Sequence, residues 1–496
     1  MQIELLKFPY VYMEYEKELQ ARELSALLPN AIIISDNKHS TIISVDNTEL
    51  SAVYELTYYC AYKINDSIIS TRQGLYEKDD TIHVSKQHTR YSTHGLHEYK
   101  GKFNPQIVHA LINSFGITKN HTVLDPFNGS GTTIVECAHA GISAYGTDIN
   151  PMACFIANTK ISALRIDTQS VLSIIKSIEY SEVKYKAIKH DTDERIAYLE
   201  KWIPHETLCF LEHIREIVKD INPITRDFLL LIASDLIRDY SFQEPSDLRI
   251  RRRKSPFPQL SFKDAFIQNS IKYIKRIEQV QKIDAECFRV HNEAINCDIK
   301  TDNPFKNIRF DAAITSPPYV TALPYIDTQR ISLVWLGLCK SSQIGKLESS
   351  LIGTREILKS EKTKWEATIN NNPNNLPDEI HTLITSMANA LSEKDGFRKQ
   401  AVPALMCKYF TEMKDMFINV YSMLKPNGLY GLVVGHNKTT LGGVEFNIDT
   451  PKLLAILSTN CGWKIQEILP LQTYKRYGLN AKNAICKESL IVLKKE

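Results

Sequence analysis

Two apolar patterns alternate along this chain. Short apolar runs, Val123-Leu124 and Phe310-Asp311-Ala312-Ala313-Ile314, read as strands that give way to loops. Between such runs the apolar residues recur at helical spacing. Pro105 to Phe115 carries Ile107, Val108, Leu111 and Ile112 on one face, with proline at the start, where it fits. Thr132 to Ala140 reads as a second helix, ended by Gly141, and Ser143 to Asp148 as a strand that closes on an acid. Alternating strands and helices of this kind predict a parallel α/β sheet.

Outside that core the pattern changes. Residues 1–85 predict a small α+β module. Ala31 to Ser35 and Thr41 to Val45 form strands around an Asp36-Asn37-Lys38 turn, while Ala52 to Ala61 fits either strand or helix. Residues 161–285 are mostly helical by periodicity, with Leu208 to Leu211 and Phe228 to Ile232 among their apolar positions. A second insert covers 340–400, and its Asn370 to Asn375 stretch predicts a flexible loop. The core resumes at 286 and runs to 496. It ends in β-like runs at Leu429–Val434, after the turn Lys425-Pro426-Asn427-Gly428, and at Trp463–Leu469 and Ser489–Leu493.

Composition narrows the class. An apolar fraction of 43% and a charged fraction of 24% suit a globular enzyme. Net charge is only +3, so any nucleic-acid contact depends on local clusters of Lys and Arg. The ten cysteines include no CxxC pair and no zinc spacing, which predicts reduced thiols, no metal and a cytoplasmic setting. The first residues lack the layout of a signal peptide, and no run approaches a membrane span.

The chemistry sits in two strings, each at the end of a predicted strand. Asp125-Pro126-Phe127-Asn128-Gly129-Ser130-Gly131-Thr132-Thr133 is no Walker loop, because no lysine follows Gly131. It also lacks the third glycine of the dinucleotide fingerprint, Ile134 standing there. What remains is a tight turn before a helix N-terminus, suited to a ligand with a carboxylate. Asp148 can accept hydrogen bonds from ribose hydroxyls. A nucleoside joined to an amino acid satisfies both ends, and S-adenosylmethionine (AdoMet) is such a molecule. The other string is Ser316-Pro317-Pro318-Tyr319. Two prolines remove two N–H donors, so carbonyls and the Ser316 hydroxyl can accept protons from an exocyclic amine. Tyr319 offers a face for a base taken out of its stack.

These residues resemble the DNA amino-methyltransferases, which act on the N4 amine of cytosine or the N6 amine of adenine. The resemblance implies a Rossmann-like AdoMet-dependent methyltransferase core over 90–160 and 286–496. It assigns AdoMet to Phe127, Asn128, Gly129, Gly131 and Thr132, with the preceding Asp125, the later Asp148 and Ile149, and Asp298 at the adenine amine. Lys102, Phe103 and Pro105 match the family's outlying cofactor motif beside the methionine end. Ser316, Pro317, Pro318 and Tyr319 match its catalytic loop. Serine at the head of that loop favours cytosine-N4; adenine-N6 and transfer-RNA guanine-N2 methylation are the alternatives, and a non-catalytic nucleic-acid-binding protein is the other class. The implied partner is double-stranded DNA with a flipped base, with a cognate restriction endonuclease as a candidate second partner. The cluster Arg249, Arg251, Arg252, Arg253 and Lys254 is the candidate phosphate contact, Lys475-Arg476 beside Tyr474 and Tyr477 a second. Residues 161–285 are the candidate target-recognition region. His94 and His97 are expected as surface or packing residues with no role in the chemistry.

Overall fold

The computed structural model of the chain describes residues 1–46, 50–78, 87–183, 194–320, 324–472 and 487–496. The basic pair at 475–476 and its two tyrosines lie outside them. Five antiparallel strands build the N-terminal sheet: β1 (Gln2–Lys7), β2 (Ile32–Asp36), β3 (Ser40–Ser44), β4 (Tyr59–Ile64) and β5 (Ser67–Ser70), in the order β2-β3-β1-β4-β5. The ambiguous 52–61 stretch divides between the helix Leu50–Tyr54 and β4. The helix Glu14–Leu27 ties this sheet to the core. Its Tyr15 and Leu19 share one apolar cluster with Ile107, Val108 and Leu111, and Arg22 pairs with Glu467.

The core is a seven-stranded sheet. Its strands are β6 (Thr122–Asp125), β7 (Ser143–Asp148), β8 (Asn292–Asn296), β9 (Phe310–Thr315), β10 (Leu424–Gly435), β13 (Trp463–Gln472) and β14 (Lys487–Lys495). A small hairpin, β11 (Asn437–Leu441) with β12 (Val444–Ile448), stands apart and follows no pattern marked in the sequence. The order is β13-β14-β10-β9-β6-β7-β8; β14 runs antiparallel to both its neighbours, and the pairs from β10 to β8 are parallel. This is the Rossmann-like α/β fold of AdoMet-dependent methyltransferases. From β6 the chain builds outward through β7 and β8, then returns to the other side of β6 as β9. That reversal is the switch point where open sheets take ligands. Both chemical strings leave the sheet there, because β6 and β9 are adjacent, with Val123 opposite Ala312 and Leu124 opposite Ala313.

The inserts pack differently. The described residues of 161–285 form a helical layer around Phe228, Leu231, Phe266 and Ile274, which shares its core with Met152 and Ile156 of the sheet's flanking helix and with Trp335. The second insert packs Ile369, Leu376, Ile380 and Ile384 against the long helix Val402–Met423 on one face of the sheet. The asparagine-rich stretch inside it is a pinned turn rather than a free loop. Asn372 takes left-handed backbone (φ 41°), and its side chain accepts from Leu376 N at 2.9 Å and donates to Leu376 O at 2.8 Å. Lys414 holds the carbonyl of Asn374 at 2.7 Å.

A charged group is buried beneath the glycine loop. Glu136, on the helix Thr132–His139, accepts from Tyr91 Oη at 2.8 Å and meets His94 Nε2 at 2.5 Å, His109 Nδ1 at 2.8 Å and His139 Nδ1 at 3.3 Å. Burial alone would raise its pKa; His139, His109 and His94 outweigh it and hold the carboxyl well below its ordinary range. Burial pushes His94 down to about 3, so that ring is neutral, whereas the bond to Glu136 overcomes burial at His109 and raises it. Three of the donor atoms converge, but 2.5 Å between His94 and Glu136 is shorter than the roughly 3.3 Å between two ligands of one tetrahedral zinc ion. The group is a hydrogen-bonded network that joins the helix Pro105–Ser114 to the helix behind the glycine loop. His94 and His97 are both buried, so neither is a surface residue. Glu136→Ala strands a charged histidine among apolar residues and should destabilise the fold by about 3–5 kcal/mol, with Glu136→Gln intermediate; urea unfolding of the three proteins measures this.

Candidate active site

A cavity of about 430 Å³ opens at the switch point. Its wall includes Lys102, Phe103, Asp125, Phe127, Asn128, Gly129, Thr132, Asp148, Ile149, Asp298, Ser316, Pro317, Pro318 and Tyr319. Two residues singled out in the sequence stand off the wall. Pro105 is the first residue of the helix Pro105–Ser114. Gly131 turns its α-carbon to the helix Pro151–Ala163, where a β-carbon would come 2.7 Å from that of Ala157. Its φ of +83° closes the turn at the N-terminus of the helix Thr132–His139. Lys102 lines the cavity, and its ammonium donates to Thr89 O at 2.7 Å and His94 O at 3.3 Å.

The glycine loop is fixed from several sides. Asn128 N donates to Thr147 O at 2.9 Å and Gly131 N to Asn128 O at 2.8 Å. Gly129 N donates to Asp148 Oδ2 at 2.9 Å, and Asn150 N to Asp148 Oδ1 at 2.8 Å. Buried Lys160 donates to Ser130 O at 3.0 Å, and desolvation lowers its pKa to about 7. Each oxygen of Asp148 thus holds one backbone N–H and keeps lone-pair capacity on the cavity side. Desolvation raises Asp148 to about 6, against those two hydrogen bonds. Asp125 also rises to about 6 through burial, although Thr315 Oγ1 donates to it at 2.5 Å and Phe127 N at 3.1 Å.

This lining fits AdoMet. The volume is that of a small-ligand pocket. The Asp148 carboxylate faces it with unused acceptor capacity, and Asp298 and the apolar Phe103, Phe127 and Ile149 complete the wall. AdoMet is the cofactor of this fold and family.

The second loop is held as firmly. Ser316 Oγ donates to Val433 O at 3.0 Å. Its proton is committed to the sheet, so toward the cavity the oxygen acts as an acceptor. Tyr409 Oη donates to Pro318 O at 3.1 Å, and Asn437 Nδ2 to Val320 O at 2.6 Å. Tyr319 Oη donates to Glu488 Oε1 at 2.9 Å, which fixes the ring; burial raises its pKa well above the ordinary value, and Glu488 adds to this.

Several wall residues carry no mark in the sequence: Tyr15 of the N-terminal module, Tyr99, Tyr325, Arg355 and Glu488. Tyr99 lays its ring edge against Gly129, where an added β-carbon would meet it at 3.4 Å. An acid at the head of the apolar run Ser489–Leu493 was the one available signal for Glu488. The others are brought in by folding alone.

The basic cluster is only partly a free surface. Arg253 is a brace: it donates to Ser241 O at 2.8 Å, Pro256 O at 2.8 Å and Asp239 O at 2.6 Å, and lies 4.5 Å over the Phe257 ring. Arg252 stacks over Trp202 at 4.6 Å, and Arg251 pairs with Asp247 at 3.1 Å. These contacts correct the expectation that the whole run faces phosphate.

Comparison with known proteins agrees with this geometry. Residues 21–159, which hold the glycine loop and Asp148, match the N6/N4 family model described as DNA methylase. The chain is 25% identical to the type II methyltransferase M.MvaI of Kocuria varians over 289 residues, 53% of this chain and 62% of that protein. It is 25% identical to the type II methyltransferase M.BsoBI of Geobacillus stearothermophilus over 387 residues, 69% of this chain and 74% of that one. A shorter likeness, 28% over 87 residues, links it to a tRNA (guanine(10)-N2)-dimethyltransferase of Methanothermobacter thermautotrophicus, with 18% of this chain and 24% of that protein aligned. The alignment with M.MvaI thus spans about three fifths of that relative's length. With its glycine loop and SPPY loop side by side at the switch point of a Rossmann-like sheet, the chain resembles the DNA amino-methyltransferases of the cytosine-N4 and adenine-N6 type, whose family model its residues 21–159 match.

Proposed function

We propose that the protein transfers a methyl group from AdoMet to the exocyclic N4 amine of cytosine in double-stranded DNA. One observation carries this reading: the Ser316 oxygen, its proton spent on Val433, lines the same cavity as Asp148. Bound AdoMet would supply a sulfonium methyl, an electrophile that needs no activation by the protein. Asp148 would hold the ribose hydroxyls, with Asp298 at the adenine amine and Phe127, Gly129 and Thr132 around the remainder. The catalytic loop acts on the nucleophile. An aryl amine is a weak one, because its lone pair is delocalised into the ring. Ser316 Oγ, together with the Pro317 carbonyl, accepts its N–H protons and favours a pyramidal nitrogen. The lone pair then points in line at the methyl, and the surplus proton leaves through the same acceptors. Tyr319, its hydroxyl tied to Glu488, presents a ring against which the extruded base stacks. Serine rather than Asp or Asn at position 316 selects cytosine over adenine in this reading. The likeness to type II methyltransferases supports double-stranded DNA as substrate, and a cognate endonuclease as a companion activity.

Nucleoside mass spectrometry after incubation with labelled AdoMet and mixed genomic DNA and tRNA tests the assignment. Label in N4-methylcytosine is expected. Label in N6-methyladenine would keep the mechanism and correct the base, and label confined to N2-methylguanine in RNA would overturn the DNA reading.

The Tyr319→Ala variant should lose base stacking worth about 1–3 kcal/mol, read as lower kcat/KM for DNA, while AdoMet affinity stays near that of the parent. Equal loss of both would mean that the ring belongs to the cofactor.

The raised pKa of Asp148 sets a pH profile. Ribose hydroxyls bind its ionised form, so AdoMet affinity should be flat above about pH 7 and decline below about pH 6. One linked proton limits the decline to about tenfold per pH unit. Asp148→Asn should bind more weakly and lose that slope; calorimetric titration from pH 5 to 8 gives both curves.

A further inference from the structure

The cavity wall draws on the two inserts unequally. No described residue between 161 and 285 lines it, whereas Ser350, Leu351 and Ile352 of the second insert do. Just beyond them Gly353 takes φ +72° and lies so close to the catalytic loop that a β-carbon would stand 2.5 Å from Tyr319 O. This stretch is held by its backbone. Lys300 Nζ donates to Ser350 O at 3.2 Å and Lys408 Nζ to Leu351 O at 3.3 Å. Both ammoniums end on one carboxylate of the long helix Val402–Met423: Glu412 Oε1 accepts from Lys300 and Oε2 from Lys408, each at 2.8 Å.

Lys300 also reaches a third segment. Its ammonium lies 3.5 Å from Asp298 Oδ2, and its backbone N–H donates to Asp298 Oδ1 at 3.1 Å. The three N–H groups of one ammonium thus serve the loop after β8, the second insert and the long helix. The Lys300 side chain is only 11% exposed. Burial alone would lower its pKa; Glu412 and Asp298 outweigh that and raise it, so the group stays charged. Lys300 does not itself line the cavity, but Asp298 does. Asp298 also depends on that cation more than Glu412 does. Without Lys300, Glu412 would keep Lys408, whereas Asp298 would lose its one ion pair among the described residues. A carboxylate anchored at both oxygens still has lone pairs for a further donor. Its neighbour Cys297 donates its N–H to Asp148 O at 3.1 Å, so Asp298 and Asp148 share one frame.

We propose that Lys300 is a positioning residue for AdoMet: its ammonium aims the Asp298 carboxylate at the adenine amine and locks that acid to the insert wall beside the catalytic loop. This rests on the reading above, which gives Asp298 the adenine amine. A carboxylate that is free to turn loses side-chain entropy when it binds an amine, and one already held does not.

The test is calorimetric binding to the full-length protein without nucleic acid, which makes it independent of the base methylated. The probes are S-adenosylhomocysteine and its analogue with hydrogen in place of the adenine 6-amino group. The parent should prefer the amine-bearing probe by about tenfold or more, the scale of a hydrogen bond to a charged group. Lys300→Met should cut that preference by about threefold or more. Lys408→Met is the control, because it removes the other partner of Glu412 and the next backbone grip on the insert without touching Asp298. It should keep the preference within about twofold, even where it weakens both probes alike. Equal weakening of both probes in Lys300→Met, with the preference intact, would make Lys300 a prop of the fold and overturn this assignment alone. An equal loss of preference in Lys408→Met would do the same. A parent without preference would overturn the role of Asp298 and this inference with it.

Discussion

A single hydrogen bond at the centre of the sheet holds the two halves of the site in register. Thr315, last residue of β9, donates its hydroxyl to Asp125, last residue of β6, at 2.5 Å. The same carboxylate accepts the amide of Phe127 and so starts the glycine loop. One step beyond Thr315 is Ser316. A shift of β9 against β6 by one residue would turn Ser316 from the cavity to the other face of the sheet. Thr133 adds a second tie, donating to Ile314 O at 3.2 Å from the helix behind the glycine loop. The glycine loop and the SPPY loop are therefore parts of one rigid junction, as the proposed in-line displacement would require.

Around that junction the protein places its ionisable groups in two ways. Burial raises both Asp125 and Asp148 to about 6, although threonine hydroxyls at Asp125 and backbone donors at Asp148 pull the other way. Glu136 is buried as deeply, yet histidines on three sides keep it ionised. The first arrangement leaves acceptor capacity facing a cavity. The second consumes it all and gains rigidity. The difference separates a carboxylate available to a ligand from one that serves the fold.

The polar half of the catalytic loop follows the same logic. Proline at 317 and 318 removes donors, and Val433 occupies the one proton that Ser316 could offer. Under the proposed function, a surface this rich in acceptors would match an amine and leave a carbonyl unpaired. Tyr409 and Glu488 then fix the loop from the long helix and from β14, elements that lie about 90 and 170 residues further along the chain.

Much of the core was legible in the sequence because local rules decide it. The apolar runs of β6 and β9, proline at the head of the helix Pro105–Ser114 and the glycines of the loop are set by burial and backbone freedom, and each reads the same in isolation. Gly131 shows where that stops: the sequence marks a turn, but only folding reveals that its bare α-carbon lies against Ala157 and off the cavity wall. Arg253 likewise reads as a surface cation until three backbone carbonyls are seen to take its donors. Tyr15, Tyr325, Arg355 and Glu488 come from four distant segments and meet at one cavity, a property of sheet order and insert packing rather than of any local pattern. The sequence by itself determined the α/β core, its two chemical loops and their place at strand ends, since these follow from residue type and spacing. Tertiary structure alone decided which insert walls the cavity and which charges face it, since these depend on contacts between residues far apart in the chain.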